Sequence, residues 1–521
     1  ETGTRVWFVP EAGTYDEAPA SVRVSLRQRR RWSSGIMDVA QARAGALARS
    51  AFAGGGMRAL DMLAMLTQPF CQAAGFLLTC AFALSQTGWN RALALLPLGL
   101  LGGYLAMSAF ALLLAAYALP GGPVRDHVYT SAQTIAEEGL YPEYFGFKLF
   151  QMDNYTDTIM LTEAASADEA PPLTAMMTNT AYNVDNFETL ADDLQWYIER
   201  DWAAGAQRTD APALVPFSYA RYWHGYLIWL RPLLLVTDIT GVRVVQYLVL
   251  AALFAAAAVL LRRRCGLRAA VWFAVSQLLV TAFWAPHQVQ FFTCFAVAYA
   301  GCVWVLAKPR RSDDVCLALL VLGVVTSFCD LLVTPVLTLG LPLVCWLLEP
   351  QQRLRAGTRQ CGIVVGGSLT WGVGYLLCWA SKWVLAGLVT GQNVIADALH
   401  QVGVRTAADS WHGMELTWGN ILHFVYTTLA GKHLFWPLVL AVVLLLALFA
   451  ASIRDRQQLA RALPLGLCAL MTPAWFIVLR THSIQHGWFT WRALGLTVFA
   501  GLAFLYYCCD VRQIAKRLKR T

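Results

Sequence analysis

The chain has 521 residues, of which 57% are hydrophobic and 14% are charged, and its formal net charge is +8. Soluble globular chains average about 45–50% apolar and about 25% charged residues, so this composition excludes an ordinary soluble domain. The Lys and Arg residues form short clusters between apolar runs, which favours a membrane protein, and we expect no nucleic-acid partner.

The chain divides into segments of contrasting polarity. Residues 1–50 are polar, and two apolar runs follow, at about 58–86 and 91–119. The stretch after them is rich in Asp, Glu, Tyr and Asn, and beyond residue 228 the chain is almost continuously apolar. We therefore divide it into four segments, which are 1–50, 51–120, 121–228 and 229–521.

Apolar runs of the length that crosses a bilayer, about 20 residues, recur through the last segment. We place spanning helices there at 243–262, 269–285, 291–307, 314–331, 333–348, 361–388, 434–453, 464–480 and 489–507. Together with the two earlier runs, they predict an all-α polytopic membrane protein with about ten or eleven transmembrane helices.

The loops between these runs fall into two sets. Basic loops lie at 262–268, 308–311, 351–359, 454–461 and 512–520. The loops that alternate with them along the chain carry His, Asp, Trp and Asn instead. These loops lie near 285–290, 330–335, 389–433 and 480–491. By the positive-inside rule, we expect the basic loops and the C-terminus in the cytoplasm. The other loops and residues 121–228, which we expect to be mostly helical, are then extracytoplasmic.

The polar N-terminal segment contains a short motif of Gln, Arg and Trp. A "VPEA" strand and a "YDEAP" segment precede Gln28, Arg31 and Trp32, which stand in the pattern Q-x-x-R-W before the first apolar run. Arg can pair with phosphate through two hydrogen bonds, and Trp offers a flat face to a sugar ring. A plain basic flank of a membrane helix is the alternative.

This segment resembles the end of the catalytic domain of processive family-2 glycosyltransferases, such as hyaluronan, chitin and cellulose synthases. The resemblance implies that Gln28, Arg31 and Trp32 lie on an interfacial helix and help to hold the growing glycan and the nucleotide diphosphate. It covers only about residues 1–120. The nucleotide-sugar domain would precede residue 1, so the resemblance implies that residues 1–50 are a small remnant of a GT-A-type domain.

The membrane orientation implied by the N-terminal segment disagrees with that implied by the later loops. In the synthases the Q-x-x-R-W segment is cytoplasmic, and two spans would return the chain to the cytoplasm. The later loop charges instead place 121–228 outside the cell. Either the first apolar run is interfacial or re-entrant, or the second breaks at Gly102 and Gly103, or the chain joins parts of two genes near "LPGGP" at about 118–122. We favour the junction, which also accounts for the missing nucleotide-sugar domain; a truncated chain is the alternative.

Three aspartates are candidate catalytic residues. Asp153 and Asp157 stand four residues apart, so in a helix they share one face, and in a loop they can converge on a cation or a phosphate. Asp330 lies at the end of an apolar run, where an ionisable side chain is costly and is by default a functional candidate. Asp153 or Asp157 would act as a general base or position a cation such as Mg²⁺ or Mn²⁺.

Other side chains are candidates for binding the substrate. An arginine can hold a phosphate, and an aromatic ring can stack on a sugar or simply anchor the chain at the membrane surface. His482 and His486 have the spacing of metal ligands on a helix, but residue 483 is Ser, which favours a polar pair over zinc. The remaining candidates are Arg221, Trp223, His224, Arg231, Arg492 and Lys382, the last also explicable as a side chain that reaches the headgroups.

These residues lie in segments that carry a second resemblance. "YARYWHGYLIWLRPLL", "TSFCDLLVTP", "GYLLCWASKWVLAG" and "RTHSIQHGWFTWRAL" are similar to parts of bacterial multipass proteins with a GT-C-like layout. This resemblance covers most of 120–521. It implies a bacterial cytoplasmic-membrane glycosyltransferase of cell-envelope polysaccharide or glycolipid synthesis, with a polyprenyl-phosphate sugar donor, a glycan acceptor and an outward-facing site.

Three alternatives from the sequence stay open. One is a truncated family-2 nucleotide-sugar synthase fused to an unrelated membrane protein. Another is a flippase or transporter of lipid-linked sugars, which would be expected to show inverted repeats. The third is a non-catalytic membrane scaffold, which needs no cluster of acidic residues on its outer loops.

Overall fold

A computed structural model describes residues 105–139, 141–183, 215–353, 357–407 and 456–508, together with isolated positions elsewhere. The candidates Gln28, Arg31 and Trp32 and the predicted remnant at 1–50 lie outside these described residues. The chain divides into two compact units, Glu1–Leu112 and Leu113–Thr521. Everything discussed below as a site belongs to the second unit.

The described residues are mostly helical, as predicted. In chain order the helices are α1 (Leu105–Tyr117), α2 (Gly121–Glu138), α3 (Asn154–Ser166), α4 (Pro172–Thr178), α5 (Leu227–Leu234), α6 (Ile239–Cys265), α7 (Leu267–Leu279), α8 (Val289–Ala307), α9 (Ser312–Cys329), α10 (Val336–Leu347), α11 (Pro350–Arg353), α12 (Gly357–Thr390), α13 (Val394–Ala407), α14 (Arg456–Ala469), α15 (Met471–Val478), α16 (Arg480–Thr490) and α17 (Leu494–Cys508).

Short elements complete the described part of the chain. Four 3-10 turns lie at Tyr144–Gly146, Lys148–Phe150, Ala282–His287 and Trp491–Ala493. The strands are β1 (Thr180–Asn183), β2 (Val215–Ser218), β3 (Ser410–Trp411) and β4 (Met414–Glu415). Strands β1 and β2 pair antiparallel, with Thr180 opposite Ser218 and Asn183 opposite Val215. This pairing places the residues after β2 beside the end of α4.

Six helical segments of the described residues are long and apolar enough to cross a membrane, so the prediction of a multipass membrane protein is confirmed at this level. They are α6, α8, α9, α12, the pair α14–α15 and the pair α16–α17. Helices α1 and α2 would form a seventh span, bent by 79°, at the predicted junction. The predicted span at 434–453 lies almost wholly outside the described residues.

Two of the predicted spans are shorter in the structure. The run at 269–285 gives α7, whose 13 residues stop before a turn at Thr281, where φ is +52°. The run at 333–348 gives α10, whose 12 residues follow Pro335. At 1.5 Å per residue, each helix covers about 20 Å, less than the hydrocarbon core of about 30 Å. All residues of α10 are buried, so its apolar sequence reflects protein packing and not contact with lipid.

The spanning helices differ in how much apolar surface they expose. Only 22% of the apolar window of α6 is buried, against 72% of that of α8. Large apolar side chains of the outer helices are exposed, such as Leu248 on α6 and Leu388 on α12. An extended apolar exposed surface would be unfavourable in water and favourable in lipid. Helix α8 is therefore an interior helix, and α6 and α12 are outer helices.

Two glycines allow α9 and α12 to approach closely. A Cβ atom at Gly323 would clash with the carbonyl oxygen of Trp371, and one at Gly374 would clash with that of Leu320. Small residues at crossing points let helix backbones touch, as is common between helices in membranes. These two helices therefore pack directly against each other, without intervening side chains at the crossing.

Polar contacts between helix ends define two ends of the bundle. At one end Arg264 pairs with Glu349 at 2.7 Å, and Arg353 donates to the hydroxyl of Tyr507 at 2.6 Å. These contacts join loops that the sequence grouped as basic. We call the region around Arg264, Arg310 and Arg353 the arginine-rich end.

The opposite end holds the loops that the sequence grouped as less basic. The Asp157 carboxylate reaches the first residue of α8, and Arg221 pairs with Asp397 at 3.3 Å. His482 on α16 contacts the carbonyl of Leu332 after α9. We call this region the aspartate-rich end. The sequence therefore grouped the described loops as the structure does.

Candidate functional site

Asp157 lies near the start of α3 and is fully buried. Its Oδ2 accepts from the backbone N–H of Val289 at 3.1 Å, and its Oδ1 from that of Gln290 at 3.3 Å. These are the first two residues of α8, whose N–H groups have no partner within their own helix. Burial raises the pKa of Asp157 to about 7, against the lowering effect of Arg243 and of the two amides. Asp157 thus caps the interior helix from a distant part of the chain.

Asp153 immediately precedes α3 and caps it. Its carboxylate accepts from the N–H of Thr156 at 3.2 Å and from the Thr156 hydroxyl at 2.6 Å. Oδ2 also accepts from Nε2 of Gln290 at 3.0 Å. Burial raises the pKa of this carboxyl above its ordinary value. Both Asp153 and Asp157 therefore contact the beginning of α8, one through a side chain and the other through the backbone.

The surroundings of these two carboxylates do not favour a cation. Their oxygens accept hydrogen bonds from N–H and O–H donors, whereas a metal ion would need those oxygens as ligands. Within the part of the chain that the structure describes, no group of three or more His, Cys, Asp or Glu side chains is placed to hold a metal. The predicted Mg²⁺ or Mn²⁺ ion has no fitted site here, and we assign no step to it.

Asp330 follows α9 and is 3% exposed. Its Oδ1 accepts from the N–H of Val333 at 3.1 Å, whereas Oδ2 has no nitrogen or oxygen donor among the described residues. The thiol of Cys294, a weak donor, lies beside it, and burial raises the pKa of Asp330 to about 6. Cys294 is one helical turn beyond Gln290 on α8. The three predicted catalytic carboxylates therefore gather around the first two turns of this helix.

The two histidines lie in helix α16 and are mostly buried, where the sequence predicted a polar outer loop. The Nε2 atom of His482 lies 3.0 Å from the carbonyl oxygen of Leu332, and the rings of His482 and His486 are 4.6 Å apart. A carbonyl can only accept, so Nε2 carries the hydrogen and Nδ1 of neutral His482 is an acceptor. Nδ1 has no partner among the described residues, and neither has the hydroxyl of Thr334.

We define Asp330, Thr334 and His482 as the Asp330 cluster. Each has a buried polar atom that no described residue satisfies. Leaving such an atom unsatisfied costs about 1–3 kcal/mol, so native proteins usually supply a partner from water or a ligand. Among the described residues, the Asp330 cluster therefore has unused hydrogen-bonding capacity that water or a ligand could satisfy.

Arg492 is fully buried at the same end. Its Nη2 donates to the carbonyl of Gln151 at 3.3 Å, and its guanidinium lies 4.9 Å from the ring centre of Phe291 on α8. No carboxylate oxygen lies within 4.0 Å of it among the described residues, and its Nε has no hydrogen-bond partner there. A buried cation without a counter-ion is costly, and an anion at this position would relieve that cost.

A second buried cation, Lys432, lies near Arg492. Its ammonium donates to the carbonyl of Lys148 at 2.8 Å. The charged groups of Lys432 and Arg492 lie 5.6 and 5.5 Å from the ring centre of Trp491. Burial, and then repulsion by Arg492, lowers the pKa of Lys432 to about 7. No local pattern marks Lys432, because Arg492 is sixty positions away and Lys148 is more distant still.

A buried carboxylate that the sequence did not predict, Glu163 on α3, holds the surrounding segments together. It accepts from Tyr226 at 2.5 Å, Asn179 at 2.8 Å and Tyr117 at 3.0 Å, and its Oε2 lies 2.6 Å from Nδ1 of His224. Burial raises the pKa of Glu163, but His224 and these donors outweigh it and hold the pKa below its ordinary value. We call these five residues the Glu163 network.

Lys382 on α12 is also fully buried, so the interpretation that it reaches the headgroups is wrong. Its ammonium donates to the carbonyl of Met176 at 2.6 Å and to Oδ1 of Asn179 at 2.5 Å. It lies 5.4 Å from the ring centre of Trp223. Lys382 therefore joins the Glu163 network to α12 and has a structural role in this conformation.

Three further candidates bind other parts of the protein. The ion pair of Arg221 with Asp397 joins the segment after β2 to α13. The indole of Trp223 donates to the carbonyl of Cys378 at 2.7 Å. Arg231 is buried and donates to the carbonyl of Ala116 at 2.7 Å, beside the end of α1. These contacts position the 219–231 segment against the bundle.

One face of α12 carries aromatic side chains at every fourth position. The ring centres of Trp371 and Tyr375 are 5.1 Å apart, those of Tyr375 and Trp379 are 6.1 Å apart, and those of Trp379 and Trp383 are 5.1 Å apart. Tyr222 stacks on Trp379 at 5.5 Å. This aromatic row leads along α12 towards the aspartate-rich end. Flat rings of this kind can stack on sugars as well as on one another.

Comparison of the chain with family models, with curated proteins and with solved structures gave no match. The two resemblances drawn from the sequence, to processive family-2 enzymes and to GT-C-like multipass proteins, therefore stay predictions. What bears on function is the placement of the charged and aromatic side chains at the aspartate-rich end.

Proposed function

We propose that the chain is a membrane glycosyltransferase that transfers a sugar from a polyprenyl-phosphate donor to a glycan acceptor at the aspartate-rich end. One observation carries this proposal. Three buried carboxylates and the buried cation Arg492 lie at the first two turns of α8, and a second buried cation, Lys432, lies near Arg492. Neither cation has a carboxylate oxygen within 4.0 Å among the described residues. Transfer from a glycosyl phosphate needs both an acid–base group and a cation that holds the departing phosphate.

The cations would hold the donor phosphate. Arg492 can bind a phosphate through two parallel hydrogen bonds, and Lys432 adds a point charge near the same Trp491 ring. The bound phosphate would neutralise two charges that burial otherwise makes unfavourable. As the donor bond breaks, negative charge grows on this phosphate, so the same contacts stabilise the transition state more than the ground state.

Among the three carboxylates, Asp330 is the best candidate for the general base. Asp153 and Asp157 cap helices with both oxygens, whereas Oδ2 of Asp330 accepts from no nitrogen or oxygen donor among the described residues and has only the weak Cys294 thiol beside it. In the proposed step, this oxygen takes the proton of the acceptor hydroxyl, and the acceptor oxygen bonds to the anomeric carbon. The bond from that carbon to the phosphate oxygen breaks, and the polyprenyl phosphate leaves with the electron pair.

The remaining parts of the site would position the sugar. Nδ1 of His482 would accept a hydrogen bond from a sugar hydroxyl, and the aromatic row on α12 would supply a stacking surface. By the positive-inside rule, the arginine-rich end and the C-terminus would face the cytoplasm, so the site would face outward from a bacterial cytoplasmic membrane. The product would belong to a cell-envelope polysaccharide or glycolipid.

A comparison of donors tests this proposal. The full chain, reconstituted in lipid nanodiscs, would be given a radiolabelled polyprenyl-phosphate sugar or the corresponding nucleotide sugar, together with an oligosaccharide acceptor. We expect transfer from the lipid-linked donor only, and none with Asp330→Asn. Transfer from the nucleotide sugar alone would overturn the proposal in favour of a family-2 activity. Movement of the lipid-linked sugar across the bilayer without transfer would indicate a flippase instead.

A further inference from the structure

A cavity of about 220 Å³ lies at the arginine-rich end, remote in the bundle from the proposed transferase site. It is formed beside α11, where α10 and α17 end and α12 and α14 begin. Its polar lining consists of Gln352, Arg353, Gln360, Gln458, Arg461 and Tyr507. Sites for drug-sized molecules measure about 300–1,000 Å³, so this cavity suits a small polar group.

The cavity contains cationic groups without anionic partners. Arg353 donates to the hydroxyl of Tyr507 at 2.6 Å, and its buried Nε atom has no acceptor among the described residues. Neither Arg353 nor Arg461 has a carboxylate oxygen within 4.0 Å in the described part of the chain. Arg264, at the same end, is by contrast paired with Glu349. The two unpaired guanidinium groups favour an anion, and phosphate suits their planar donors.

The cavity also offers an acceptor. Gln360 is 3% exposed, and its Nε2 donates to the carbonyl of Gln352 at 3.0 Å and lies 3.2 Å from the Gln352 side-chain oxygen. Because both partners are acceptors, the nitrogen of the Gln360 amide must face them. Its Oε1 is therefore directed elsewhere, and no described residue donates to it. A ligand that satisfies the cavity should bring a hydroxyl as well as an anion.

The position of the cavity indicates where such a ligand comes from. Three candidate spans, Gly357–Thr390, Gln457–Val478 and Arg480–Cys508, begin or end beside it, so it lies at the level where a membrane presents its headgroups. Leu463, between two lining residues of α14, is 46% exposed beside the cavity. Such an exposed apolar side chain can contact an acyl chain while a headgroup occupies the cavity.

We infer that this cavity binds the headgroup of an anionic phospholipid whose phosphodiester carries a hydroxylated substituent, as in phosphatidylglycerol. Arg353 and Arg461 bind the phosphate, and Oε1 of Gln360 accepts from the hydroxyl. Basic pockets between transmembrane helices are known to bind anionic headgroups by this combination of charge and position. The site is independent of the proposed transferase function, because it uses none of the same residues.

Binding of short-chain lipids to the purified full chain in detergent tests this site. We expect dioctanoyl phosphatidylglycerol to bind saturably and to raise the Tm, and dioctanoyl phosphatidylcholine to do neither. Arg461→Gln changes an exposed side chain and is not expected to disturb folding, so it should weaken binding of phosphatidylglycerol by about fivefold. Arg311→Gln is the matched control at the same end, 84% exposed outside the cavity, and should leave the affinity unchanged.

The hydroxyl is tested with phosphatidylmethanol, which has the same phosphodiester without the hydroxyl. The wild-type chain should prefer phosphatidylglycerol by about tenfold, and Gln360→Leu should abolish that preference. Equal binding of phosphatidylglycerol and phosphatidylcholine would overturn the inference, as would equal effects of Arg461→Gln and Arg311→Gln. Inorganic phosphate that binds as tightly as phosphatidylglycerol would indicate a site for free phosphate and would also overturn it.

Discussion

The two ends of the bundle use charge in different ways. At the arginine-rich end many charged side chains are exposed, as in the pair Arg311–Asp313, whose side chains are 84% and 82% exposed. At the aspartate-rich end Asp330, Arg492 and Glu163 are all buried. Exposed charges cost little free energy and contribute little to stability. A buried charge destabilises the fold unless it is paired or bound to a ligand.

The comparison separates charges expected to orient a membrane protein from charges proposed to do chemistry. Exposed arginines such as Arg311 can follow the positive-inside rule without a buried partner. In the Glu163 network a buried carboxylate has its hydrogen-bonding capacity satisfied, because every group that contacts it is a donor. In the Asp330 cluster, and at the cations Arg492 and Lys432, buried polar or charged groups lack such partners among the described residues. Unsatisfied buried charge is therefore the property that marks the candidate site.

Removing the Asp330 carboxylate should have the largest effect on the rate of transfer. General-base catalysis contributes about 10²–10⁴-fold, so Asp330→Asn should reduce kcat by at least about a hundredfold. The exposed Asp313→Asn, at the arginine-rich end, should leave kcat unchanged. In the wild type, kcat/KM should rise as the pH increases through about 6, because burial raises the pKa of Asp330 to about 6 and the base must be ionised. Radiolabel transfer in nanodiscs measures all three; full activity of Asp330→Asn would exclude the residue.

Removing the Glu163 carboxylate, which has hydrogen-bond donors around it, should reduce the stability of the fold instead. Breaking a buried ion pair by deleting one partner costs about 3–5 kcal/mol, so we expect Glu163→Leu to destabilise the chain by about 3 kcal/mol or more. Glu137→Gln, on the exposed face of α2, serves as the control and should cost less than about 0.5 kcal/mol. Denaturant titration in detergent micelles measures both. Equal stability of the two variants would show that the Glu163 network is not a structural hub.

Removing one uncompensated cation should weaken binding of the donor. Arg492→Gln loses one charge-assisted contact to the phosphate, so KM for the polyprenyl-phosphate donor should rise by about tenfold, while KM for the acceptor stays constant. Because the wild-type cation is buried without a carboxylate, we expect no loss of Tm. Arg264→Gln, at the other end, should change neither KM. A large fall in Tm without a change in KM would assign Arg492 to packing.

A further prediction concerns the pH dependence of stability. Burial raises the pKa of Asp157 from 3.8 to about 7, so the folded state holds a proton that the unfolded state releases. The contribution of this proton to stability is complete below about pH 4 and is lost as the pH rises through about 7. The Tm should fall over this interval, and Asp157→Asn should make that fall shallower. A steeper fall in the variant would contradict the proposed environment of this carboxyl.

The sequence could predict the class of the protein because the signals for it are local. Apolar runs and basic loops gave the multipass helical architecture and the grouping of the described loops. The same signals misjudged α7 and α10, since hydropathy alone cannot show that an apolar run contains a turn or packs entirely against protein. Helix length and exposure distinguished these two cases in the structure.

The candidate site was predictable only in part, because its contacts join distant residues. A spacing of four residues drew attention to Asp153 and Asp157, but no local pattern shows that Asp157 caps a helix that begins more than a hundred positions later. Glu163 and Lys432 were missed for the same reason. Asp330 was found because an ionisable residue at the end of an apolar run is costly wherever it folds.

The direct packing of α9 against α12 has a consequence for how a substrate is accommodated. At Gly323 and Gly374 each backbone touches the other, so the two helices form one rigid unit with no compressible layer between them. Asp330 extends from the end of one, and the row of rings from Trp371 to Trp383 lies along the other. In the proposed reaction, the separation between the proton acceptor and the stacking platform would thus be built in when the chain folds, and an incoming sugar would have to match it.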